Sequence, residues 1–301
     1  MYKRKRSTLG GGSNVDVIPV DQQDKEWGNA AEMDDALVAL EVLRSQFPAS
    51  ASRPHPVAFV SQIYSLVPDR TDVDRSLARA CKNHRVRMFL APGSSTEMML
   101  QHIDDYIESI TDSMLQAGAS GRDQAGESNR KPGQRRGEVL IEAEDVLRRF
   151  KGKVLPKCTG LYVSRVELSR LLNIEGRPRQ PDEVEEGEDD WSISPADTKA
   201  VDLLVRGGAL ASRDAHSMWF TPVRCGMLLA EAGKGRDELM GILGRYKFGE
   251  VLLRELCRKR LKTSTLGAKF IVRDLVGRGL LEIKETTAGP MVKALQAGAR
   301  R

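Results

Sequence analysis

Between Leu256 and Thr263 the chain reads LCRKRLKT, which packs Arg258, Lys259, Arg260 and Lys262 into one short stretch. Cations at that density either form a solvated helix face or meet a phosphate backbone, where each neutralises a phosphate and releases its condensed counterion. Lys269 and Arg273 follow at helical spacing, and Arg245 and Lys247 precede. Most such contacts fix position on a phosphate backbone without reading bases. From Ser264 to Val276 there is no Asn or Gln to pair with adenine, so little sequence preference is expected.

Other chemistries lack their parts. A kinase must cradle ATP phosphates, hold magnesium and position a base. GGGSNV, from Gly10, is Gly-rich but follows no strand; Ser212-Arg213-Asp214 lacks the Asn a catalytic loop needs; no D-F-G occurs. EAGKGRD, Glu231 to Asp237, lacks both the first Gly of a phosphate loop and the Ser or Thr after its Lys. No Ser-His-Asp set or paired carboxylates can be argued, so no catalytic residue is assigned and no enzyme is expected. Cys81, Cys158, Cys225 and Cys257 are far apart and the histidines scattered, which supports neither a metal site nor a disulfide framework. No cofactor is implied, and a reducing compartment fits.

Charge is uneven along the chain. From Arg224 to Arg301 there are 17 Lys and Arg against 8 Asp and Glu, although the whole chain carries only +5. The acidic side gathers in PDEVEEGEDD, Pro181 to Asp190. A basic end suits a phosphate backbone, and an acidic run suits a surface loop or a basic partner. No apolar run is long enough to span a membrane, and MYKRKRSTLGGGS has no apolar stretch behind its basic cluster, so no secretory signal is expected. Lys3 to Arg6 could be read by nuclear import receptors, or could belong to a solvated tail.

Helices and strands must hold these cations. Residues 1–31 read as a disordered basic tail. A first module, 32–117, opens with Met33, Leu37, Leu40 and Leu43 at helical spacing. The spacing predicts a second helix over Val57–Val67, ended by Pro68, and a third capped by Thr71. Val86, Met88 and Leu90 alternate as a strand, and a long helix is predicted over Thr96–Leu115. GASGRDQAGESNRKPGQRRG reads as a flexible linker, 118–137. A second module, 138–223, is predicted with helices over Val139–Phe150 and Val163–Ile174, and an acidic insert at 175–193. Ser194-Pro195 should open its third helix, and a hairpin of ALASRD and MWFTPV should follow. The third module, 224–301, is predicted with helices from Leu228 to Tyr246 broken near Gly233 and Gly235, over Phe248–Leu261 and over Ser264–Val276, then the hairpin LLEIKE–PMVKAL.

Two stretches repeat one another: Leu204, Val205, Gly208 and Leu210 correspond to Leu275, Val276, Gly279 and Leu281. A helix ending in Gly and feeding a hairpin joins a recognition helix to its wing. The fold expected is mainly α with small β-hairpin wings, an α+β chain of three tandem winged-helix domains. Ser264–Val276 would then be the helix set into the groove. In the first module Asp69, Asp72 and Asp74 lie where such a helix would meet DNA, balanced by Arg70, Arg75, Arg79, Lys82 and Arg85, so a protein-docking role is expected there.

SLVPDRT, Ser65 to Thr71, resembles the nuclear family named serine/threonine-protein kinase 19. The resemblance extends in order through Asp74, Arg75 and Leu77, then Arg213, Asp214, Ala215 and Trp219. It continues through Lys234-Gly235-Arg236, Glu250, Leu252, Leu253, Glu255 and Leu256 to Asp274-Leu275, Thr286, Thr287 and Gly289. It covers Met33 to Val292. It implies tandem winged helices that bind double-stranded DNA in the nucleus, with single-stranded DNA or RNA left open. It also implies a role in transcription-coupled nucleotide excision repair beside stalled RNA polymerase II, TFIIH and Cockayne-syndrome-type repair factors. Lys234, Arg236, Arg245, Lys247 and Arg258 match the family's basic positions, whereas Ala230 and Gly244 stand where the family has Lys and Arg. The alternative is a scaffold subunit of a transcription or chromatin complex, whose wings contact protein.

Overall fold

The computed structural model describes residues 34–50, 55–94, 96–119, 143–172 and 195–295. Lys3–Arg6, the tail, linker residues 120–137, the acidic insert and Ser194 lie outside them. The chain begins with α1 (Asp35–Ser45), β1 (Ala58–Phe59), α2 (Val60–Tyr64), α3 (Arg70–Lys82), β2 (Val86–Leu90) and β3 (Met98–His102). Helix α4 (Ile103–Ala119) follows. Next come α5 (143–149, running on through a π-helical turn, Phe150–Val154, and Leu155–Lys157), β4 (Tyr162–Ser164), α6 (Arg165–Leu172), α7 (Pro195–Arg206), β5 (Leu210–Ser212) and β6 (Ser217–Phe220). The last set is α8 (Cys225–Leu243), β7 (Glu250–Leu252), α9 (Leu253–Arg258), α10 (Ala268–Gly277), β8 (Leu281–Lys284) and β9 (Met291–Ala294).

Helix, strand, helix, helix, strand, strand thus recurs three times. Each repeat closes an antiparallel sheet in which its last strand is central, with orders β1-β3-β2, β4-β6-β5 and β7-β9-β8. Helices with small antiparallel sheets make an α+β architecture consistent with the winged-helix fold.

The joint between third helix and hairpin has one hydrogen-bond signature in every repeat. Ala209 N–H donates to Leu204 O at 3.0 Å and Gly208 N–H to Val205 O at 2.9 Å. Leu280 donates to Leu275 and Gly279 to Val276 in the same way, as do Arg85 to Ala80 and His84 to Cys81. This is the Schellman closure, whose pivot takes a positive φ. Gly208 (75°), Gly279 (71°) and His84 (54°) are those pivots.

Several elements depart from the sequence expectation, each for a physical reason. Val57–Val67 is not one helix: Phe59 pairs with Met99 as strand, and the Gln62 side chain accepts from Phe59 N–H at 2.9 Å to start α2. The cap of α3 is Asp69 rather than Thr71; its carboxylate accepts from the N–H groups of Thr71 and Asp72 at 2.9 and 3.1 Å. Met98–His102, expected as helix, is a central strand flanked by β1 and β2. Burial on both sides erases alternation, and tertiary pairing overrides the helical leaning of Met and Leu. Tyr162–Ser164 is likewise strand, and Ser164 Oγ then caps α6 by accepting from Glu167 N–H at 3.1 Å. The helix expected over Phe248–Leu261 is a 3₁₀ turn, strand β7 and the six-residue α9.

Helix α8 runs unbroken through Gly233 and Gly235. A Cβ on Gly235 would lie 3.0 Å from Ile271 Cδ1 and 3.1 Å from Ser264 Cβ, so this glycine lets α10 approach rather than breaking α8.

Described residues from Asp35 onward form one compact unit. One core includes Phe59, Phe89 and Tyr106, Phe150 and Phe220, and Leu239, Ile271 and Val292, so it passes through all three repeats. A second, smaller core of Leu40, Leu43, Ile63, Val73 and Leu77 lies within the first repeat. Tyr106 Oη donates to Ala209 O at 3.0 Å between the first two repeats.

Candidate nucleic-acid interface

The basic residues of the third repeat ride on α8, the turn after it, α9 and the loop into α10. Two carboxylates two turns apart on one face of α8 hold that loop. Glu238 accepts from the N–H groups of Lys262 and Thr263 at 2.8 Å and from Thr263 Oγ1 at 2.6 Å. Glu231 accepts from Thr265 N–H and Oγ1 at 3.1 and 2.6 Å. The Thr263 hydroxyl and the Lys262 and Thr263 amides hold Glu238 below the usual carboxylate range. Neither glutamate was visible as a functional group in the sequence, although their i, i+7 spacing on one helix face was the signal.

Lys234 is exposed, and its carbonyl accepts from Thr263 Oγ1 at 3.2 Å, which sets it beside Lys262. Arg258, Lys259 and Arg260 are exposed where α9 gives way to the loop. Lys259 Nζ stands 5.5 Å from the Tyr246 ring centroid, bringing the loop to the turn that carries the exposed Arg245 and Lys247. On the other side, burial pushes the Cys257 thiol up while neighbouring Lys269 and Arg273 oppose that shift, placing both cations against α9. Lys269 is exposed; Arg273 is half-buried, and burial lowers its pKa. Ion pairs in the described part of this repeat join Lys284 to Glu282 and Lys293 to Glu250, besides those of Arg236 and Arg278; none uses Lys234, Arg245, Lys247, Arg258, Lys259, Arg260, Lys262, Lys269 or Arg273.

Arg236 is the exception among the expected site residues. It points inward, donating to Asp274 and Glu97, and Arg278 donates to the same two carboxylates at 2.8 Å. Asp274 is fully buried. Burial works against the Arg236 charge, but the two carboxylates more than offset it and hold its pKa high. Two cations and two anions cancel there, so Arg236 has no charge to spare for a phosphate. Lys234 and Arg236 lie two positions apart on a helix, which turns them to opposite faces.

The groove-helix expectation for Ser264–Val276 is corrected as well. The helix begins only at Ala268, and the first repeat covers it. Gln62 Nε2 donates to Phe270 O at 3.0 Å, Arg70 to Gly277 O at 3.0 Å, and Ser61 Oγ to Asp274 Oδ1 at 2.5 Å. At Gly277 a Cβ would fall 1.6 Å from Ser61 O, so the two backbones touch there. Phe59 and Phe47 close edge-on against Phe270 at 5.7 and 6.1 Å. A helix packed this way cannot enter a major groove, and its outer side offers Lys269 and part of Arg273.

Residues considered for kinase chemistry have other work. EAGKGRD lies within α8, where the amide groups are committed to the helix. Asp214 accepts from His216 N–H and Ser217 Oγ at 2.7 and 2.6 Å and so shapes its own turn. Among the described residues no cluster of His, Cys, Asp or Glu is placed to hold a metal ion, and no helix is long and apolar enough to cross a membrane.

A family model described as "Inactive serine-threonine protein kinase 19" matches residues 29–294. The chain is similar to winged helix repair factor 1 of Homo sapiens, 25% identical over 239 residues, covering 79% of this chain and 76% of that protein. The Mus musculus protein of the same name matches to the same extent. That of Xenopus laevis is 35% identical over 91 residues, covering 30% of this chain and 35% of it.

Proposed function

The chain belongs to the inactive serine-threonine protein kinase 19 family, and from that premise we propose that it is a non-catalytic DNA-binding protein built of three tandem winged-helix units, spanning 32–117, 138–223 and 224–301. It acts in the nucleus in DNA repair. The three matching sheet orders and the repair-factor names of its relatives support this reading. The observation that carries it is the group of exposed cations around the loop between α9 and α10 that form no ion pair among the described residues. The resemblance narrows the process to transcription-coupled nucleotide excision repair, with RNA polymerase II, TFIIH and Cockayne-syndrome-type factors as partners.

Binding on this reading uses the loop and its neighbours rather than a helix in the groove. Arg258, Lys259, Arg260 and Lys262 are the centre, flanked by Lys234, Arg245, Lys247, Lys269 and the exposed part of Arg273. These are backbone contacts, so affinity is nearly independent of sequence and falls with salt at a slope of about −0.9 per phosphate neutralised. The test is a duplex titration of the full chain over a salt series. Replacing Arg258, Lys259 and Arg260 together by Glu reduces the slope by about 3. A wild-type slope near zero refutes the reading.

The first repeat supports a protein contact beside the DNA contact. Its α3 exposes Asp72 and Asp74 among Arg75, Arg79 and Lys82, a mixed surface that repels as well as attracts a phosphate backbone. Charge reversal at Asp72 and Asp74 therefore leaves the duplex salt slope within one contact of wild type while weakening protein capture.

A further inference from the structure

Phe248 occupies a place that neither packing nor backbone preference explains. The residue is 75% exposed. Its backbone is left-handed, φ 65° and ψ 9°, a conformation that a bulky residue rarely takes and that glycine takes freely. The turn around it is firmly rooted. Gly249 N–H donates to Tyr246 O at 3.0 Å, and Gly249 itself is buried and left-handed, at φ 64°, against Ala294 of β9. The ring is thus held out into solvent by a turn that a second glycine would make with less strain. Strain retained at an exposed position is a sign of use.

Its surroundings specify the use. Lys247 Nζ is 5.1 Å from the Phe248 ring centroid, Lys259 Nζ is 5.5 Å from that of Tyr246, and Arg245 is exposed beside them. An exposed aromatic ring with Lys247 over one face and further cations nearby fits a ligand that is flat and apolar at its centre and anionic at its edges. A nucleobase between its own phosphates has that form. Inside a closed duplex every base is already stacked on its neighbours, so the ring can gain a partner only where a base is unpaired or a step is open.

We propose that Phe248 is a stacking residue for an unpaired DNA base, with Arg245, Lys247 and Lys259 taking the adjoining phosphates, so that the protein favours a duplex interrupted by an unpaired region over a closed one. This deepens the DNA-binding reading and rests on it.

The full chain is titrated, at fixed salt, on a closed duplex and on the same duplex carrying a central bubble with a fluorescent aminopurine base. Wild type binds the bubble more tightly, by about five- to a hundredfold, and quenches the base, as expected for one aromatic–base stack. Phe248→Gly loses both the preference and the quenching, keeps its duplex affinity, and melts no lower than wild type because the turn is relaxed. Phe248→Trp keeps the preference. Three outcomes overturn the proposal while leaving the DNA reading standing: a wild type that binds both forms equally, a Phe248→Gly variant that keeps the bubble preference, or one that loses duplex and bubble affinity alike. A wild type that binds neither form overturns the DNA reading itself, and this proposal with it.

Discussion

Arg236 and Lys234 show how differently two cations on one helix can be employed. Arg236 shares Asp274 and Glu97 with Arg278, and Asp274 has no exposure. Removing one partner from such a group leaves a buried charge uncompensated, which costs about 3–5 kcal/mol. Arg236→Ala is therefore expected to lower stability to denaturant by that amount and to leave the salt slope of DNA binding unchanged. Lys234→Ala should alter stability by under about 0.5 kcal/mol and reduce the slope by about 1. Equilibrium unfolding and a salt titration on the same two variants check both statements. At this scale the sequence shows which residues are charged but not which charges are spent. The run from Arg258 to Lys262 is legible because local density alone keeps those side chains in solvent. Glu97 could not be anticipated as a partner of Arg236, because 139 positions separate them.

At the scale of elements, the joints and the clasped loop make the predictions. A Cβ on Gly279 meets nothing within 4 Å, so Gly279→Ala reports the left-handed backbone alone. It is expected to cost about 1–2 kcal/mol, whereas His84→Gly, at the matching pivot of the first repeat, should be neutral or stabilising by up to about 1 kcal/mol. Chemical denaturation of both variants tests the equivalence. The loop before α10 depends on an ionised Glu238, whose pKa in the folded protein lies below the ordinary glutamate value of 4.5. A depressed acid contributes above its unfolded pKa and stops contributing as pH falls through its folded one. Hydrogen exchange at the Lys262 and Thr263 amides should then stay slow from neutral pH down to the ordinary glutamate range and lose its protection only below it. In Glu238→Gln the protection should be weakened at neutral pH as well. The glycine joints of the second and third repeats were readable because glycine advertises a positive φ; the first hides its joint behind His84. Strands β1, β4 and β7 were not readable, since two or three residues give no period and each is strand only through a distant partner.

For the whole molecule, linkers and repeated patterns suggest separate modules, but one core passes through all three repeats. That core predicts a single cooperative unfolding transition, with coincident midpoints by fluorescence and circular dichroism. A fragment limited to 224–301 would uncover Phe270 and the Asp274 group, and is expected to unfold far more readily than the intact chain. Two separated transitions, or a stable isolated third repeat, would contradict this. The arrangement of repeats lay beyond sequence reading because the contacts that set it join positions hundreds of residues apart, and no local pattern encodes them.

The Ser61–Asp274 hydrogen bond spans 213 positions. At ordinary rates of synthesis, Ser61 is joined to the chain about 10–40 s before Asp274 exists to accept its hydrogen bond. The nascent first repeat must spend that interval with Phe59 and Gln62 uncovered. Chaperone demand should peak then, and a premature stop near the end of the message would release a polypeptide nearly full in length yet lacking the piece that shields its beginning.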